Sequence, residues 1–370
     1  MAAIPFYPSY SMSDIDIQLE GQWEQQHKER ERAKQHLQDL LPSSQIWMTH
    51  SGTAALELGF SQMNLQAGDQ VIMPSFNFVS SANLLARQGI ELRFADIDPI
   101  SLCLSAETVQ PLINGQTKAI LTVNYNGVNP HLKELRELCN LHGLMLIEDG
   151  AMSYGHIHPE SEIFQYSDWG IVSFDNTKHL SSHQGGALIV NGKLERALVD
   201  ESYWLGTNRA AFDSGKTMHY EWVNTGSKFG MSEWNAAYLN AFLRRWPSIE
   251  WARTRNTAFW LEWLQMPEQK VHFQPAYCPN NQSLIHGVYL ICHHETEHAR
   301  LANYLKSRGI ECHPHYYPLH MSAFAQSKGW NHPLPTTERV AANLLRLPCH
   351  EQVTEAELAF MASTIHAFYS

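Results

Sequence analysis

The sequence predicts an α/β fold, a mostly parallel sheet covered by helices and followed by a smaller α+β region. Three observations carry that prediction. From residue 46 onward short β-rich runs alternate with helical runs, as in repeated strand–helix–strand units. The last two β-rich runs of that series, 170–174 and 187–190, sit too close together for a helix between them, which predicts a hairpin-like or crossing connection. The alternation stops at residues 244–247, where a different pattern begins.

Taken in order, residues 17–41 form a polar helical pattern. Leu19, Trp23, Leu37 and Leu41 make one docking stripe, and the charged remainder makes a solvated face. After an opening run at Ile46, a helix is predicted over 53–63, announced by Ser51-Gly52. Strands over 71–73, 92–97, 119–125 and 144–149 alternate with helices over 79–88, 106–113 and 132–142, before the close pair at 170–174 and 187–190. The expected division is a large domain over residues 1–245 and a small one over 246–370. In the latter, a helix (251–264), a strand (288–293), a helix (295–307), an extended segment (310–315) and a closing helix (355–368) follow one another. Internal repeats and low-complexity segments are absent from the sequence.

Length and composition fit this division. A chain of 370 residues is long for one compact core. Hydrophobic content of 44% and charged content of 17% describe a soluble globular protein. A net charge of −11 without any basic block argues against nucleic acid as a partner. The opening MAAIPFYPSY lacks the basic and apolar regions of a signal peptide, and no apolar run approaches the ~20 residues that span a membrane. Six scattered cysteines without a C-x-x-C pair predict reduced thiols in a cytoplasmic protein.

In an open parallel sheet, ligands sit beyond the carboxyl ends of the strands. Three features fall at such ends. Ser51-Gly52-Thr53 opens a helix, where free N–H groups and the helix dipole can hold a phosphate. Asp149 ends the run LMLIED, and Lys178 lies shortly beyond GIVSF. An anion cradle, a carboxylate for a ring nitrogen and an amine for an aldehyde are together what pyridoxal 5′-phosphate requires. Such a lysine serves both as Schiff-base partner and as the base that moves a proton between carbons.

The segments SGTAALELG (51–59), GDQVIMPSFNFVSSANLL (68–85), IEDGAMSYG (147–155), SFDNTKHLSSHQGGALIVN (173–191), LGTNR (205–209), GMSEWNAAYL (230–239), HYYPLH (315–320) and LLRLP (344–348) resemble the DegT/DnrJ family of nucleotide-sugar aminotransferases. The order and spacing match over nearly the whole chain. The resemblance implies a pyridoxal-phosphate fold of type I, like that of aspartate aminotransferase. It implies that Lys178 carries the cofactor and that Asp149 pairs with its ring nitrogen. Gly52, Thr53 and Ser173 would bind its phosphate, and Phe76 would stack on its ring. It also implies a homodimer that moves an amino group from glutamate to a nucleotide keto sugar.

Several positions depart from the family pattern. The family's E-D-A-A-Q reads Glu148-Asp149-Gly150-Ala151-Met152, so a thioether replaces the amide expected at the cofactor's phenolic oxygen. G-E-G-G reads His183-Gln184-Gly185-Gly186. The Asn that reaches the neighbouring subunit's cofactor phosphate is Lys228, and the Gly-rich stretch before the first helix is shortened around Met12–Gly21.

Two rival readings follow. One is a dehydratase of the same family, in which histidine replaces the lysine that this chain keeps. The other is a non-catalytic, cofactor-binding regulator. Two further motifs are set aside. His294-Glu295-Thr296-Glu297-His298 matches a zinc-site pattern but begins right after a strand, and no third histidine follows at the required spacing. Ser214-Gly215-Lys216-Thr217 lacks the first glycine of a phosphate loop, having Ala210 there. No metal is expected.

Overall fold

The computed structural model describes residues 3–11, 14–17, 28–158, 160–274 and 284–370. Its elements, in chain order, are α1 (Lys28–Leu40), β1 (Gln45–Thr49), α2 (Gly52–Ser61), β2 (Gln70–Pro74), α3 (Val79–Arg87), β3 (Glu91–Ala95), β4 (Thr117–Val123), α4 (Leu132–His142), β5 (Met145–Asp149), β6 (Trp169–Ser173), β7 (Gly186–Val190) and α5 (Arg196–Tyr203). They continue with α6 (Glu233–Gln265), β8 (Phe273–Gln274), β9 (Val288–Cys292), α7 (Glu295–Ser307), β10 (His313–Pro314), α8 (Pro335–Asn343), β11 (Leu344–Leu347) and α9 (Glu355–Tyr369).

The first seven strands form one sheet in the order β1-β7-β6-β5-β4-β2-β3. Strands β2 to β6 are parallel, and β7 runs antiparallel to both β6 and β1. The short link between the 170–174 and 187–190 runs therefore joins antiparallel neighbours, as its length requires. Helices cover both faces because successive side chains alternate. Val71, Met73, Leu188 and Val190 pack under α2 and α3, whereas Ile72, Ala187 and Ile189 pack toward the opposite helices. Strands β8 to β11 make a second, antiparallel sheet whose core is closed by Trp260, Leu301, Leu358 and Ile365.

Four sequence expectations need correction. In α1, Leu37 and Leu41 are buried as expected, but so are the charged Glu29 and Arg30. The Glu233 carboxylate accepts from the N–H groups of Glu29 (2.9 Å) and Arg30 (3.2 Å), closing the open end of α1. Leu19 and Trp23 lie outside the described residues. The helix expected over 251–264 is the second half of a 33-residue helix that passes through Pro247. Proline removes one helical hydrogen bond. The helix continues because Ala236, Leu239 and Phe242 are packed in the first core and Trp260 and Leu264 in the second. The helix expected over 106–113 shortens to Ala106–Val109 and tightens into a 3-10 turn at Pro111. The fourth correction is β11, a strand that periodicity did not reveal. The amino-terminal residues also join the second core, where Ile4 makes an isolated bridge with Ile310.

Among the described residues, no helix is long and apolar enough to cross a membrane. The five described cysteines are free thiols. His294 is extended and precedes α7, so it does not share a helical face with His298.

Glu148, fully buried on β5, ties the sheet to the loop before β6. It accepts from Asn124 Nδ2 (2.7 Å) and from the N–H of Phe164 (3.0 Å). Burial pushes its pKa from 4.5 up to about 7, against these hydrogen bonds. A folded-state pKa above the unfolded one gives stability that is complete below the unfolded pKa and is lost as pH rises through the folded one. Glu148→Gln removes that titration. Its unfolding free energy relative to the parent should therefore rise between pH 4.5 and 7, as measured by urea denaturation across that window; a flat difference would contradict the assignment.

Candidate active site

The carboxyl ends of β4, β5 and β6 open into a cavity of about 670 Å³, with Val123, Asp149, Ile171 and Ser173 on its walls. The first turn of α2 supplies Gly52 and Thr53 to the same cavity. Ser51 caps α2 by accepting from the N–H of Ala54 at 3.0 Å, and the helical ladder starts with Ala55 donating to Ser51 at 3.1 Å. That leaves the N–H groups of Gly52 and Thr53 ahead of the ladder, at the positive end of the helix dipole. The approach of α2 to the sheet is close. A Cβ at Gly186 would stand 2.6 Å from the Gly52 nitrogen, so the first residue of β7 must be glycine for this cradle to form.

Lys178 lies in the return from β6 to β7. A turn fixes it: its N–H donates to the Asp175 carbonyl (3.0 Å), and Thr177 donates to the Asp175 carboxylate (N–H at 3.1 Å, Oγ1 at 3.0 Å). The next residues, His179 and Leu180, are buried and anchor the segment. Burial lowers the Lys178 ammonium below its ordinary pKa, against the charges of Asp149 and Asp175. The same burial raises the Asp149 carboxyl, opposed by the Ala151 N–H (3.1 Å) and by Lys178. An amine with a lowered pKa thus faces a carboxyl with a raised one across a single cavity.

Of the residues expected from sequence, Gly52, Thr53, Asp149, Met152, Ser173 and Lys178 all line this cavity. Phe76 does not. Its ring is 1% exposed and packs against Tyr125 (5.1 Å) and Tyr316 (5.7 Å), because β2 ends there and turns its side chain into the core. Phe78, the residue that precedes α3, does reach the wall, at 60% exposure. Lys228 is exposed beside Trp204, away from this chain's own cavity walls. Sequence reasoning missed the part of the wall supplied by the second sheet: His286, His315, Tyr316 and Arg346. Two of its motifs, HYYPLH and LLRLP, carry three of these residues, but nothing in their pattern gives a role.

The departures have local explanations. Gly150 is required because a Cβ there would meet the Phe164 ring at 2.5 Å. His183 takes a left-handed backbone (φ 65°) at the start of the stretch that closes on the cradle. Gln184 and Met152 both reach the wall, whereas Tyr154 hydrogen-bonds His36 at 2.8 Å and does not.

The arrangement fits pyridoxal phosphate. The N–H cradle with the Ser173 hydroxyl suits its phosphate, Asp149 its ring nitrogen, Lys178 its aldehyde and Phe78 one ring face. The model of the DegT/DnrJ/EryC1/StrS aminotransferase family matches residues 11–366. GDP-perosamine synthase of Vibrio cholerae is 28% identical over 310 residues, 82% of each chain. The aminotransferase PseC of Helicobacter pylori, involved in pseudoaminic acid biosynthesis, superposes with a TM-score of 0.83 at 20% identity, covering 95% of this chain and 97% of that one. NtdA of Bacillus subtilis, solved with bound cofactor PMP, gives a TM-score of 0.81 at 19% identity, covering 94% of this chain and 77% of that one.

A thioether cannot donate a hydrogen bond, and a hydrogen bond to a charged group contributes roughly 1.5–3 kcal/mol. With pyridoxal phosphate bound, Met152→Gln should shift the pH at which the visible absorption band changes, followed by spectrophotometric titration. An unchanged titration would mean that another wall residue already supplies the donor.

Proposed function

The chain belongs to the DegT/DnrJ/EryC1/StrS aminotransferase family, and from that premise we propose that it moves an amino group from glutamate to the keto group of a nucleotide-linked deoxysugar. A TDP-linked 4-keto-6-deoxysugar is the first acceptor to try. The observation that carries the reading is the placement of Lys178 and Asp149 on one cavity beyond the carboxyl ends of the sheet, beside the α2 cradle.

When bound, pyridoxal phosphate supplies the electron sink that lets a proton leave the carbon bearing the transferred nitrogen. The chain's own groups do the rest. Burial favours the neutral amine at Lys178 Nζ, the form that can act as a nucleophile and carry a proton between donor and acceptor carbons. Asp149 holds a proton on the ring nitrogen set against it. The Gly52 and Thr53 N–H groups and the Ser173 hydroxyl hold the phosphate. The retained Lys178 favours amino transfer over the dehydratase reading, and its lowered pKa favours a catalytic over a purely regulatory protein.

The working unit is a homodimer in which Lys228 binds the partner's cofactor phosphate. Supporting it, the segment before Lys228 presents Met218 (89% exposed), Tyr220 (53%) and Trp222 (80%) to the outside, an apolar surface that a second copy would cover. A lysine offers a compact charge suited to phosphate. The division into residues 1–245 and 246–370 belongs to the same proposal, with α6 linking the two parts.

One pair of variants tests the site and the dimer together. Lys178→Ala should lack the visible band of the loaded protein and its bleaching by glutamate. Lys228→Ala should bind cofactor roughly 10- to 150-fold more weakly. Mixed dimers of the two should regain activity at limiting cofactor, because both defects then fall in one site. A normal band in Lys178→Ala would overturn the assignment of the lysine, and parental cofactor affinity in Lys228→Ala would overturn the contact across the dimer.

A further inference from the structure

Tyr7 stands on the wall of the Lys178 cavity, although it precedes every strand of the large sheet. The segment that brings it there is pinned on both sides. Before it, the Ile4 N–H donates to the Gly309 carbonyl (2.7 Å), and the Glu311 N–H donates back to the Ile4 carbonyl (3.1 Å). His350 Nε2 donates to the Pro5 carbonyl (3.0 Å), and the Phe6 N–H donates to the Glu311 carboxylate (2.9 Å). The buried Phe6 ring lies 5.2 Å from the guanidinium carbon of Arg346, which fills room left by Gly287, where a Cβ would stand 2.5 Å from Arg346 Nη2. After it, Ser9 exchanges two hydrogen bonds with the Gln352 side chain (2.9 Å each), and the Tyr10 hydroxyl donates to the Glu351 carboxylate. Tyr7 itself stacks on His313 (6.4 Å, planes 23° apart) and meets Phe6 at a steep angle (4.8 Å), and it stays 43% exposed.

Depth divides the wall of this cavity. Asp149, His286 and Arg346 are buried, whereas Tyr7 and Phe78 are its exposed aromatics and mark the open rim. Phe78 belongs to the large sheet's side, as do Gly52, Thr53, Asp149, Ser173 and Lys178, the groups that suit the cofactor. Tyr7 comes from the side of the second sheet, so the cofactor does not need it. The donor amino acid does not need it either, because it reacts through its α-carbon and is short enough to stay beside Lys178. The acceptor is longer. Its carbonyl must reach the lysine while its diphosphate and base stay on the solvent side, so its sugar ring spans the depth between Lys178 and the rim.

We propose that Tyr7 is an acceptor-binding residue whose ring packs against the pyranose of the nucleotide sugar, a proposal that rests on the aminotransferase reading above. A pyranose presents C–H groups on its faces, and a flat aromatic ring covers such a surface over a large area. Tyrosine suits a rim because one end of it is apolar and the other accepts contact with water. The bonds to Gly309, Glu311, His350, Glu351 and Gln352 hold the segment before any sugar arrives. Binding then costs little ordering of the wall.

The test compares Tyr7→Ala and Tyr7→Phe with the parent, all loaded with cofactor. Nucleotide 6-deoxyhexoses without a keto group, which cannot react, are titrated calorimetrically in TDP, UDP and GDP forms beside the bare nucleoside diphosphates. The half-reactions with glutamate and with a nucleotide keto sugar are followed separately by absorbance. Tyr7→Ala should weaken binding of the nucleotide sugar, and raise the saturation constant of the keto acceptor, by roughly 5- to 30-fold. Tyr7→Phe, which keeps the ring, should stay within about twofold of the parent. The bare diphosphates, the glutamate half-reaction, the cofactor band and the melting temperature should keep parental values. Equal losses for nucleotide sugar and bare diphosphate would put the ring on the nucleotide and overturn the proposal. Losses in Tyr7→Phe as large as in Tyr7→Ala would assign the effect to the hydroxyl and also overturn it. Parental binding by Tyr7→Ala, or a matching fall in melting temperature or in the glutamate half-reaction, would do the same. If the parent binds the nucleotide sugar but moves no amino group, the function falls instead, and the titrations still decide the role of Tyr7. If the parent binds no nucleotide sugar, both fall.

Discussion

The site depends on one constraint of the chain, the return from β6 to its antiparallel neighbour β7. This connection is too short to hold a helix, so it folds back over the carboxyl end of the sheet. Lys178 is carried there by a turn pinned at Asp175 and sealed by the buried His179 and Leu180. The same return delivers Gly186 against the Gly52 nitrogen, closing the cradle at α2. Moving β7 by one residue would turn Gly186 to the other face of the sheet and withdraw both features at once.

Electrostatics then gives these positions their chemistry. Lys178 and Asp149 share a cavity in which burial disfavours both charges, so each lowers the cost of charging the other. Glu148, one residue earlier on β5, points to the opposite face and meets Asn124 and the Phe164 N–H. Adjacent carboxylates on one strand thus take different roles because a strand alternates its side chains. The second sheet contributes a different component, the buried guanidinium of Arg346, which pairs with no carboxylate among the described residues.

What could be read from sequence was what local pattern encodes. The alternating runs gave the sheet and its helices. The strand ends at Asp149 and before Lys178, with the Ser51-Gly52 helix start, marked the site. Phe76 and Phe78 share the same local pattern, and only the packing around Tyr125 and Tyr316 decides which ring is core and which is wall. Pro247 reads as a helix stop because its cost is local, whereas the burial that carries α6 past it comes from two separate cores. Glu29 and Arg30 look solvated because their partners, Glu233, Asn240 and Met231, lie about 200 residues away in sequence. Arg346 sits in a short apolar run, and its significance depends on Gly287 and on the cavity it faces.

The account's central claim is that nitrogen passes through this one cavity from an amino acid to a sugar carbonyl. The direct measurement is incubation of the cofactor-loaded protein with ¹⁵N-glutamate and a nucleotide-linked keto deoxysugar, with mass spectrometry of the sugar product. The account predicts an amino sugar carrying ¹⁵N and formation of 2-oxoglutarate in equal amount, neither of which appears with Lys178→Ala. A sugar that loses water without gaining ¹⁵N, or labelled amino sugar formed equally well by the Lys178→Ala protein, would contradict it.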